Sequence, residues 1–192
     1  MTSTSRRILA VTLLLTALLA ARAQARKKDD PPPPSGCRWQ TIEVLGAHLA
    51  VPDGWQYRDV SEGPLLSYEV RPAGAGLEKA KSLYRLEVRR GLKKADVVPR
   101  AREFVEKARA TATDAPPIDE REAGPMTLFA CAVTYAPEPP GMVSLSSALS
   151  ATANRDTGTL YMVRLDIPSD EVELVSPLAD KLFQNIRLND AF

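Results

Sequence analysis

The chain has 192 residues, 44% of them hydrophobic and 26% charged, with a formal net charge of +1. That length suffices for one ordinary domain with a real core, and so balanced a charge gives no global pull toward nucleic acid. Two cysteines and one histidine are too few for zinc chemistry of the Cys/His type.

The first element predicted is a targeting segment. Arg6-Arg7 makes a positive start, Ile8 to Ala21 is a run of 14 residues without a charge, and Ala21-Arg22-Ala23 and Ala23-Gln24-Ala25 both fit a small-x-small cleavage site. This predicts a signal peptide over residues 1–23, cleaved after Ala23 or Ala25, and export to the periplasm or the extracellular space. A membrane span needs about 20 apolar residues, so cleavage is favoured over an anchor and no transmembrane span is expected after it. Ser5-Arg6-Arg7-Ile8-Leu9 partly fits a twin-arginine signal, although the leucine-rich run suits the general secretory route better. Pro34-Ser35-Gly36 before Cys37 is not a lipobox. Residues 24–36 combine the charge run Arg26–Asp30 with Pro31–Pro34, and read as a polyproline tether or a leader without a role. Residues 37–192 form the domain. Loss of residues 1–23 leaves 22 basic against 24 acidic residues, since Arg6, Arg7 and Arg22 go.

Within the domain, Trp39–Leu45 and His48–Val51 suggest a hairpin turning at Gly46-Ala47. Pro52-Asp53-Gly54 is a turn signal. Leu65–Arg71 reads as a strand with Leu66, Tyr68 and Val70 on one face, and 72–76 as a loop without a phosphate-binding glycine motif. Ser82–Arg90 reads as an edge-type strand, with Tyr84, Leu86 and Val88 opposite Arg85, Glu87 and Arg89. Asp96 offers an N-cap, and Val97, Val98, Ala101, Phe104, Val105 and Ala108 form a helical stripe to about residue 110. Weak and strong strands follow over 120–126 and 127–135, the latter with Phe129, Cys131, Val133 and Tyr135 inward. Residues 142–154 read as a strand leading through Asp156-Thr157-Gly158 into the clearest element, Thr159–Ile167. There Tyr161, Val163, Leu165 and Ile167 alternate with a mixed face. Pro168 ends it, Ser169 or Asp170 caps a helix, and Val172, Val175, Leu178, Ala179, Leu182, Phe183 and Ile186 share one side. Pro177 kinks that helix or starts a new one. Hairpins with two helices indicate an α+β fold, an antiparallel sheet flanked by helices.

Leu49-Ala50-Val51-Pro52-Asp53-Gly54-Trp55 resembles the apolar-x-Val-Pro-x-Gly-Trp opening of PsbP-like domains. The helix over 96–110 and the Thr157–Tyr161 strand with a terminal helix to Leu188 are similar to later parts of that family, so the resemblance spans residues 40–188. It implies an α-β-α sandwich that binds other macromolecules rather than catalysing. Family members include a photosystem extrinsic subunit, a Ran-binding protein, bacterial envelope lipoproteins and secretion chaperones. Its motifs are structural and carry no site residue.

Cys37 and Cys131, an even pair in an exported chain, predict one disulfide; the alternative is two free thiols. His48 stands in a strand without a nucleophile elbow, so it reads as a strand histidine rather than a catalytic base. No catalytic, cofactor-binding or metal-binding residues are expected. Charge is asymmetric: residues 79–109 hold 11 basic and 4 acidic residues, and residues 114–192 hold 5 and 12. Lys79, Lys81, Arg85, Arg89, Lys93, Lys94, Arg100 and Arg102 make a candidate face for an anionic partner, unless the acidic half neutralises it internally. The function expected is an exported, non-enzymatic protein that binds an envelope protein or an anionic envelope component. The alternative is a small-molecule or lipid carrier, or a hydrolase, with a pocket in the same domain.

Overall fold

The computed structural model describes residues 32–45, 47–73, 82–137 and 143–184. The expected signal peptide, the tether up to residue 31, Lys79 and Lys81, and Ile186 lie outside the described residues.

Strands β1 (Cys37–Ile42) and β2 (Ala47–Pro52) form a separate antiparallel hairpin, paired from Cys37↔Pro52 to Ile42↔Ala47. Its connection is not the expected two-residue turn. Ala47 is already a strand residue opposite Ile42, and Glu43–Leu45 form a 3-10 turn that buries Leu45. The last spacer residues are tied to this hairpin. The Cys37 N–H donates to the Pro34 carbonyl, the Asp53 N–H to the Gly36 carbonyl, and Lys181 Nζ to the Ser35 carbonyl.

The main sheet has seven strands, each antiparallel to its neighbours, in the order β3-β4-β5-β9-β8-β7-β6. They are β3 (Trp55–Asp59), β4 (Leu65–Pro72), β5 (Leu83–Arg89), β6 (Asp119–Ala123), β7 (Met126–Tyr135), β8 (Leu145–Asn154) and β9 (Thr159–Pro168). β9 takes the middle place. β5 is not an edge strand: it lies between β4 and β9. Its alternation reports one apolar face and one charged face, a pattern that a strand inside a one-sidedly covered sheet shares with an edge.

Two helices follow. α1 (Lys94–Ala110) lies over β7, β8 and β9. Val97, Ala101 and Val105 are buried there against Phe129, Cys131, Val133, Leu149, Leu160 and Met162. Burial of a valine such as Val97 or Val105 contributes about 1.5–3 kcal/mol, and Ala101 less. Asp96 is not the cap. It stands in the first turn, and Lys93 takes the cap position with no side-chain bond to the helix. α2 (Val172–Gln184) runs through Pro177 as one helix. Its first helical bond goes from the Val175 N–H to the Glu171 carbonyl, so the cap falls on Glu171, just past Ser169 and Asp170.

The alternation of β9 divides the interior in two. Tyr161, Val163, Leu165 and Ile167 join Val172, Val175, Ala179 and Leu182 of α2, together with β2, β4 and β5. Leu160 and Met162 point the other way, into the α1 core. At the β8–β9 turn Gly158 has φ +68°, and its carbonyl accepts the Leu92 N–H at 3.0 Å. A Cβ at Gly158 would collide with the Leu92 carbonyl oxygen. Only glycine permits this close passage, which sets where α1 begins.

Candidate binding face beside the first helix

α1 covers only part of its side of the sheet. On that same side, the register brings together Glu69 and Arg71 of β4, Arg85, Glu87 and Arg89 of β5, and Arg164 and Asp166 of β9. Glu69 is the anchor of the β4–β5 part. Its carboxylate accepts from Arg71 Nη2 at 3.0 Å and from Arg85 Nη2 at 2.6 Å, and its side chain is only 10% exposed. Arg85 also lies 4.0 Å from Glu87, while its buried Nε has no acceptor.

The β9 part is built differently. Arg164 Nε donates to Asp166 Oδ1 at 2.6 Å, and the Ser147 hydroxyl donates to the same oxygen. The Arg164 guanidinium lies over the Tyr135 ring, 5.6 Å from its centroid. Burial raises the Tyr135 hydroxyl pKa, with Arg164 acting in the opposite sense. Beside this pair is an open depression of about 800 Å³. The last turns of α1 form one wall through Phe104 and Ala108, and Leu145 and Leu149 of β8 form the floor. Val143, 44% exposed, stands at its rim.

Lys79 and Lys81 lie outside the described residues, and the other six basic residues have different surroundings. Arg85 is consumed by Glu69. Arg102 pairs with Glu120 at 2.5 Å and lies over Phe129 at 4.9 Å, so this cation of the basic stretch is matched by an acid of the acidic half. Arg100 is exposed on α1, close enough to Glu103 to help lower its pKa, after the larger effect of Lys107. Arg89, Lys93 and Lys94 remain together at the junction of β5 with α1. All three are exposed, and their side chains form no ion pair with a described residue.

The two cysteines correct the expected disulfide. Both are free and buried. Cys131 lies in the α1 core, where burial pushes its thiol up to about 11. Cys37 opens the hairpin, where burial raises its pKa, Lys181 lowers it and Asp53 raises it. The thiols therefore sit in different environments, Cys131 beneath α1 and Cys37 near Lys181 and Asp53. His48 faces Thr41 across the hairpin, with Nδ1 3.2 Å from the Thr41 hydroxyl and its ring edge-on to Trp39 at 6.4 Å. These are cross-strand contacts of a hairpin. Among the described residues no group of three His, Cys, Asp or Glu is placed to hold a metal, and no helix is long and apolar enough to cross a membrane.

No family model and no curated protein matches the chain. Among solved structures it is similar to a Bacteroides thetaiotaomicron protein at 11% identity and a TM-score of 0.47, covering 76% of this chain and 46% of that one. It is also similar to cyanobacterial PsbP from Synechocystis, at 12% identity and a TM-score of 0.48, covering 87% and 99% of the two chains. A third similar structure is the Saccharomyces cerevisiae Ran-binding protein Mog1p, at 12% identity and a TM-score of 0.48, covering 79% and 95%. The chain spans less than half the length of the first of these. PsbP, whose family the sequence resembles, is thus among the solved structures to which the chain is similar.

Proposed function

We propose that this is an exported, non-enzymatic binding domain of α-β-α layering whose acidic envelope partner docks at the junction of β5 and α1. The observation that carries this reading is the unpaired cluster Arg89, Lys93 and Lys94. Lys93 and Lys94 occupy the cap and first position of α1, the end where the helix dipole is positive. Cations there cost about 0.3–1 kcal/mol each instead of stabilising the helix. A surface that holds two lysines against that field, with Arg89 at the end of β5 and no ion pair to any of the three among the described residues, is suited to an anionic partner. Export rests on Arg6-Arg7, the run Ile8–Ala21 and the two cleavage sites.

The test compares retention of the mature protein on extracts of the producing cell's envelope across a salt series. Charge reversal at Arg89, Lys93 and Lys94 should abolish the salt-sensitive fraction. Equal retention of parent and reversed protein at every salt concentration would sink this site.

A further inference from the structure

We propose that the depression at the other end of α1 is a second binding site, for a small apolar carboxylate held by Arg164. Phe104, Ala108, Leu145 and Leu149 give it apolar walls, and beside Lys107, Thr111 and Tyr135 its polar lining includes a guanidinium that is already positioned. Ser147 fixes Asp166, Asp166 holds Arg164 through Nε, and the Tyr135 ring lies beneath the guanidinium. Only Nε is used. The fork of Nη1 and Nη2 has no acceptor among the described residues. That fork matches a carboxylate with two parallel N–H···O bonds, which a lysine cannot reproduce. Lys107 also lines the depression, its charge offset by Glu103 at 2.7 Å, which leaves Arg164 as the cation with a free fork.

The lining suits the body of the ligand. The depression is open, about 800 Å³, and its apolar floor suits an acyl or aryl chain laid along it. A single C-terminal residue of a peptide presents the same carboxylate but fills far less of the space. The site is independent of the docking surface proposed above, because it uses neither Arg89, Lys93 nor Lys94.

The experiment titrates the mature protein with decanoate below its micelle concentration, by calorimetry and by amide NMR. Saturable one-to-one binding is expected, with shifts concentrated at the last turns of α1, the end of β7, the start of β8 and around Arg164 in β9. Arg164→Gln should weaken decanoate by about tenfold or more and leave decanol unchanged. Arg164→Lys, which keeps the charge but loses the fork, should weaken it as well. The NMR map on the parent protein stands even if both variants unfold. Absence of saturable binding, shifts elsewhere on the sheet, or undiminished affinity in a folded Arg164→Gln protein would overturn the proposal. So would tighter binding of an apolar hexapeptide with a free C-terminus than of decanoate, since that places the carboxylate on a peptide.

Discussion

Arg85 and Arg164 stand directly opposite each other across β5 and β9, two guanidinium groups on one face of the sheet. Like charges so placed destabilise a strand pair. Here each is turned toward its own carboxylate, Arg85 to Glu69 and Arg164 to Asp166. Glu69→Gln should therefore cost about 1–2 kcal/mol, because it removes the carboxylate charge shared by the buried Arg71 and by Arg85, whose partial exposure and Glu87 neighbour soften the loss. Urea unfolding gives the value. A loss below half a kilocalorie would show that the arginines find other acceptors.

Lys93→Glu and Lys94→Glu should act in opposite directions on binding and on stability. A carboxylate at the start of α1 interacts well with the helix dipole, so the double variant should gain about 1 kcal/mol. The same variant should lose its acidic partner. A raised thermal midpoint together with lost retention separates a damaged interface from a damaged fold.

Gly158→Ala should be among the most damaging single-methyl additions. It forces a left-handed backbone on alanine and drives Cβ into the Leu92 carbonyl oxygen. Left-handed backbone alone costs about 1–2 kcal/mol, and the collision adds to it. Amide exchange should show the first turn of α1 losing protection before the rest of the helix.

Tyr84 carries a fully buried hydroxyl without a partner, with its ring edge-on to Phe183 at 5.8 Å. Tyr84→Phe keeps the ring and removes the stranded group, so stability should hold or rise by about 1 kcal/mol. A clear fall in thermal midpoint would mean that the hydroxyl is satisfied in solution.

Cys131 makes stability depend on alkaline pH. Its thiol is raised from 9.0 to about 11 by burial, so the unfolded chain gives up this proton first. The contribution is complete below pH 9.0 and is lost as pH rises toward 11. Urea midpoints at pH 8 and pH 10.5 measure it, and Cys131→Ala should flatten the slope. Thiol titration of the native protein should find Cys131 inert at pH 7 and two free thiols after unfolding.

What was legible in the sequence follows the period of each element. The alternation of Tyr161, Val163, Leu165 and Ile167 and the stripe Val97–Ala101–Val105 report directly which side is covered, and both are found in their cores. Position within the sheet is a different matter. Nothing in residues 82–90 distinguishes a middle strand with one charged face from an edge, because the partners that decide it, β4 and β9, come from distant sequence. The same limit applied to the site. Arg164 and Asp166 were visible as a mixed face, and their two-residue spacing was the available signal. That Tyr135 and Leu149 meet them depends on two further strand registers. Charge counting found the basic stretch but not its division into spent and unspent cations, since Glu69 lies outside both of the windows compared.

The sheet order has a kinetic meaning. β3-β4-β5 and β6-β7-β8-β9 are each ribbons of sequence neighbours, and a single seam, from Leu83↔Asp166 to Arg89↔Leu160, joins them. Each ribbon can zip locally, whereas the seam must close a long loop before any of its contacts form. α1 leaves the first ribbon and packs on the second, so it acts as a clasp across that gap. Folding should thus be slow at one step, the meeting of two preformed halves, and substitutions at the seam should change the folding rate more than the unfolding rate.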